Sequence, residues 1–187
     1  MIIDIFNRMI QLFVQVDCSG KEVKESFLDS DWPLNSSLAF MTANFDHNQL
    51  LEIAQFPGLP ISSLSFVGNS IQTIQPSAFK QLKKLEHLDL SENNLTQESI
   101  QLKVFEGPFM KDEFEPIPLR TLKLGYNQIH SLDKDAFDHV TFLENLELNN
   151  NPFQIIDHQT GVALTTLRKL KVNTFSLPEI WKKTYSS

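Results

Sequence analysis

The chain has 187 residues, 41% of them apolar, and 16 basic against 23 acidic side chains give a formal charge of −7. That length suits one domain with a proper core, and the apolar fraction excludes global disorder. The charge argues against nucleic acid or an anionic membrane as partner, since both would be repelled, and the longest basic clusters are pairs such as Lys83-Lys84.

The amino terminus reads MIIDIFNRMIQLFVQV, with apolar runs no longer than three because Asp4, Asn7, Arg8 and Gln11 interrupt it. A secretory signal needs a continuous apolar stretch of about 7–15 residues. The spacing of Ile2, Phe6, Met9, Phe13 and Val16 instead predicts an amphipathic helix. No segment has the apolar length of a transmembrane helix, so direct membrane insertion is not expected. Cys18 is the only cysteine and can form no internal disulfide, which by itself favours a reducing compartment. Two N-glycosylation sequons, Asn35-Ser36-Ser37 and Asn94-Leu95-Thr96, point the other way.

From residue 40 onward one pattern recurs. FMTANFDHNQL begins at Phe40, ISSLSFVGNSI at Ile61 and LEHLDLSENNL at Leu85; LRTLKLGYNQI follows at Leu119, LENLELNNNPF at Leu143 and LRKLKVNTFSL at Leu167. Every copy is apolar at positions 1, 4, 6 and 11. Five carry asparagine at position 9: Asn48, Asn69, Asn93, Asn127 and Asn151. Position 14 is apolar at Ile53, Ile74, Leu132, Ile156 and Ile180, whereas Phe175 replaces the asparagine in the last copy.

A repeat of this period predicts a solenoid whose neighbouring coils bury one another. Positions 4 and 6 point inward from a short strand and positions 3, 5 and 7 outward. A buried position-9 asparagine needs partners, and turn backbone groups of its own and the next coil are predicted to supply them. Ala78-Phe79 and Ala136-Phe137 share one phase of two copies, which predicts a stacked aromatic row.

The pattern resembles the leucine-rich repeat family, and the 24-residue period, the Ala-Phe pairs and VDCSGKEV (16–23) make it similar to the animal extracellular, chaoptin-like or Toll-ectodomain-like type. VDCSGKEV resembles the end of a cysteine-rich amino-terminal cap, with Cys18 then an orphaned cap residue. The resemblance implies an α/β solenoid, an arc with a short parallel β-sheet on its concave face and irregular or 3-10 convex segments. Residues 1–39 form an N-terminal segment with a degenerate cap; residues 40–187 form the repeat domain.

It also implies a non-enzymatic module that binds a protein ligand or receptor, in an extracellular or cell-surface setting; the alternative is a cytoplasmic scaffold or a fragment without its caps. No metalloprotease, zinc-finger, phosphate-loop or nucleophile-elbow motif occurs, so no catalytic, cofactor or metal residue is assigned. His130, Asp133 and Asp135 read as solvated surface.

Partner-binding residues are expected on the outward columns. Position 3 gives His87 and Asn145, position 5 Asp89, Lys123 and Glu147, and position 8 Glu92 and Tyr126, with Tyr126 as anchor. A second expectation is the ten-residue excess between Leu85 and Leu119, where VFEGPFMKDEFEPIP (104–118) holds Phe105, Phe109 and Phe114 among four acids and three prolines. Those phenylalanines either protrude with the loop or fold back onto the convex side. Oligomeric state is not legible.

Overall fold

The computed structural model describes residues 2–4, 12–25, 32, 38–133, 135–153 and 167–171. Asn35, Ile156, Phe175 and Ile180 lie outside them.

Strands β1 (Ile2–Asp4), β2 (Leu12–Asp17), β3 (Leu38–Asn44), β5 (Ile61–Ser65), β7 (His87–Asp89), β10 (Thr121–Lys123), β11 (Asn145–Glu147) and β12 (Lys169–Lys171) form one sheet in that order. All pairs are parallel except β1 with β2. Two short strands, β4 (Glu52–Ile53) and β6 (Thr73–Ile74), pair beside it, and β8 (Phe109–Met110) with β9 (Glu113–Phe114) forms a hairpin. The helical structure among the described residues is two 3-10 turns, Gln97–Ile100 and Leu102–Val104.

Position by position, the repeat explains the core. Positions 4, 6 and 11 are buried in every described copy, from Ala43, Phe45 and Leu50 to Leu146, Leu148 and Phe153. Ile53, Ile74 and Leu132 complete it at position 14. In the first copy Phe40 is 37% exposed, and Met41 takes the buried place by pairing with Ile61 before the register shifts. Fully burying each such side chain contributes about 1.5–3 kcal/mol before entropy.

The five asparagines are buried and form a ladder. Asn127 Nδ2 donates to the Leu124 carbonyl of its own coil at 3.1 Å and to Leu90 of the preceding coil at 2.9 Å, while its Oδ1 accepts from Leu95 N–H at 3.0 Å. Asn69, Asn93 and Asn151 repeat this geometry. The expected second partner, the next coil, is therefore corrected to the preceding one. After position 6 the chain turns back toward the coil already laid down, where that coil's position-11 amide has no other acceptor.

The amphipathic helix expected at the amino terminus is overturned where the residues are described: Ile2–Asp4 and Leu12–Asp17 are strands. Val14, Val16 and Cys18 are buried while Phe13, Gln15 and Asp17 face out, a period of two, and pairing with β3 supplies backbone bonds a lone helix would have to make internally. Asn48 binds the Cys18 carbonyl and the amides of Lys21 and Val23, so residues 13–23 are one more coil. Its own position 9 is Lys21, and its described neighbour on that side, β1, runs antiparallel to it. Cys18 is thus a core side chain at position 6, and burial pushes its thiol pKa up.

The aromatic row exists and is longer than the Ala-Phe pairs indicated. Phe56, Phe79, Phe105 and Phe137 follow one another at 6.3, 6.2 and 6.3 Å between ring centroids. Phe105 is fully buried, so the 104–118 segment divides: one phenylalanine joins the core and two protrude.

Candidate functional site

The outward face of β7, β10 and β11 brings the sequence-predicted residues side by side. His87, Thr121 and Asn145 are in direct register, as are Asp89, Lys123 and Glu147. Most of the charges are already engaged. Lys123 Nζ reaches Asp89 at 3.0 Å, and Lys171 Nζ reaches Glu147 at 2.8 Å. The Asp89 hydrogen bond holds the Lys123 ammonium above its ordinary pKa, with Glu147 and Asp46 adding in the same direction. At the strand entries Glu144 binds Arg120 at 2.6 Å and Arg168 at 3.3 Å. Sequence reasoning missed this second row, although Glu86, Arg120, Glu144 and Arg168 alternate in sign at position 2.

His87, Glu92 and Tyr126 make no ion pair among the described residues, and Asn145 reaches only the Thr121 hydroxyl at 3.5 Å. Glu92 and Tyr126 occupy position 8, which has a property the sequence did not announce. Gly20, His47, Gly68, Glu92, Tyr126 and Asn150 all have φ between 55° and 68°. That conformation turns each N–H toward the next coil: Tyr126 donates to Asn149 O at 2.9 Å and Glu92 to Gly125 O at 2.9 Å. Bulky side chains rarely adopt it. Tyr126 does, and remains 56% exposed on the lip of the sheet.

The other expected surface is the hairpin. Two residues, Lys111 and Asp112, join β8 to β9, both with positive φ (51° and 69°), as a primed turn requires. At its base Glu115 N–H donates to Pro108 O at 2.8 Å, and Gly107 lies so close that a Cβ there would collide with the Glu115 carbonyl. Phe109 is 55% exposed, Met110 50% and Phe114 36%. The two rings meet at 5.1 Å, and Phe114 meets His139 of the next coil at 5.2 Å. Met110 and His139 were not singled out by the sequence, because neither repeats.

Asn94 is exposed and lines an open groove with Gln72, Thr73, Ile74, Thr96 and Glu98. Among the described residues no group of three or more His, Cys, Asp or Glu side chains is placed to hold a metal, and no helix is long and apolar enough to cross a membrane.

A parallel sheet of one strand per coil, an asparagine ladder and an aromatic spine define a leucine-rich repeat solenoid. The sequence matches the leucine rich repeat profile over residues 60–107 and 117–174, and the chain belongs to that family. Bos taurus mimecan is 30% identical over 67% of this chain and 42% of its own length. Homo sapiens leucine-rich repeats and immunoglobulin-like domains protein 3 is 32% identical over 63% of this chain but 12% of its own. These relatives represent the animal extracellular type, and the chain spans less than half of either.

Among solved structures, the TLR13–ssRNA13 complex aligns with TM-score 0.58 and 24% identity over 84% of this chain and 24% of that one. FLRT2, in an octameric complex with Latrophilin 3 and Unc5D, aligns with TM-score 0.50 and 22% identity over 84% of this chain and 60% of that one. Both likenesses concern the fold alone. Since one neighbour is complexed with RNA, the solenoid as such does not exclude nucleic acid; the expectation against it rests on the −7 charge.

Proposed function

We propose that the chain is a non-enzymatic protein-binding module of an extracellular or cell-surface protein. The observation that carries this reading is Tyr126: a large ring held exposed in a costly backbone conformation. Glu92 of the preceding coil lies at the adjoining turn, His87 and Asn145 lie further along the same face beside Thr121, and none of them is in an ion pair among the described residues. Aromatic anchors of this kind dominate contact energies. Asp89, Lys123 and Glu147, satisfied by one another and by Lys171, shape the surface around it and fix its register. The extracellular relatives support the setting. The exposure of Asn94 beside an open groove supports a glycan there, and Asn35 is the second acceptor proposed.

An avidity-enhanced form of the chain, screened against an arrayed panel of secreted and cell-surface ectodomains, tests the reading. Native protein should retain a discrete ectodomain that Tyr126→Ala releases. Retention of none, or retention indifferent to Tyr126→Ala, His87→Ala and Glu92→Ala together, removes the concave face as the site.

A further inference from the structure

We propose that the β8–β9 hairpin is a preformed docking element for a protein partner that presents an apolar face flanked by lysine and arginine. The inference deepens the protein-binding reading and rests on it only in that respect, because it uses a different surface.

Three observations converge on the hairpin. Phe109, Met110 and Phe114 are three large apolar side chains that project from one hairpin, and each is at least a third exposed. Single exposed apolar residues need no explanation, but a contiguous cluster on a protrusion marks an interaction site. Next, the element is held at its base. A two-stranded hairpin this short is not stable by itself, yet its base is closed by the Glu115–Pro108 bond and the Gly107 approach, and Phe114 of its second strand leans on His139. An apolar surface held in one geometry loses little entropy on binding.

The third observation is charge. Glu106, Asp112, Glu113 and Glu115 share the 104–118 segment with the cluster, against Lys111 alone. Asp112, Glu113 and Glu115 are exposed, and none has an ion-pair partner among the described residues, unlike Asp89 and Glu147 of the sheet and Glu144 at a strand entry. Unpaired exposed acids on the same hairpin as an apolar cluster repel anionic lipid headgroups and a second copy of the same hairpin. They complement a basic flank on another protein, which steers the encounter and fixes orientation.

The probe is a fluorescein-labelled amphipathic peptide of alternating leucine and lysine clusters, followed by fluorescence anisotropy with the full chain at low and high salt. Phe109→Ser/Phe114→Ser and Glu113→Lys/Glu115→Lys should each weaken binding about tenfold or more, with circular dichroism unchanged and Tyr126→Ala binding as native does. The charge variant keeps every apolar contact, so it reads out even if the serine variant misfolds. No binding by native protein, or equal binding by all variants, overturns the proposal. Loss in Tyr126→Ala alone also overturns it, while leaving the concave-face reading standing. Two controls complete the test: binding to phosphatidylcholine vesicles, or a dimer in sedimentation that Phe109→Ser abolishes, would assign the hairpin to a membrane or a second copy instead.

Discussion

At the scale of single residues, the asparagines and the position-8 residues make opposite demands. Asn127 is 2% exposed and satisfies one buried amide and three buried carbonyls, those of Leu90, Leu124 and Gly125. Asn127→Ala should therefore cost about 2–4 kcal/mol in chemical denaturation; a change below half a kilocalorie would deny the ladder its stabilising role. Tyr126→Gly should do the reverse. Glycine adopts the left-handed turn without steric penalty but loses more backbone freedom on folding, so stability should stay level or rise by about 1 kcal/mol. A large loss would mean that the ring packs rather than waits.

Lys123 contributes to the pH dependence at the alkaline end. Its pKa is raised in the folded chain, mainly by the Asp89 bond, so the stabilisation is present below the ordinary value of 10.5 and disappears as pH climbs through the higher folded value. Thermal melts across the alkaline range should show native protein losing more Tm there than Lys123→Gln does.

At the scale of elements, the aromatic spine is what the convex side is built on. Phe105 stacks between Phe79 and Phe137, so Phe105→Ala should cost about 3–5 kcal/mol. Phe109→Ala, four residues on and exposed, should cost little; calorimetry of the pair checks the division of that segment. The coils themselves were legible, since positions 4, 6, 9 and 11 repeat faithfully and inward placement follows from the period. The hairpin was not, because Lys111-Asp112 lacks the Asn-Gly or Asp-Gly signal of a two-residue turn. The first coil was hidden for a different reason. Phe13 and Val16 satisfy a helical spacing, while the strand reading of Val14, Val16 and Cys18 wins only once β3 is alongside. The positive φ of position 8 left no trace either, since glycine occupies it only at Gly20 and Gly68.

At the scale of the molecule, coils touch only their neighbours, and the concave candidates were legible as columns without being legible as paired or free. Which charges neutralise one another is a matter of side-chain reach across strands, and sequence spacing does not carry it. The same scale holds the test of setting. Expressed through a secretory route, the chain should lose mass on enzymatic deglycosylation, and Asn94→Gln should remove part of that shift; unglycosylated protein retained in the cytosol, with Cys18 reduced, would oppose an extracellular role.

The backward reach of the asparagines gives the solenoid a direction in time. Each coil's position-11 amide is closed by a side chain that lies a full repeat later in the chain, so Leu95 waits for Asn127 and Ile129 for Asn151. During synthesis a coil that has left the ribosome lacks that bond until its successor emerges. The asymmetry persists in the finished protein. In Asn127→Ala, hydrogen exchange should accelerate at Leu95, one coil upstream, while Ile129 in the mutated coil keeps its protection.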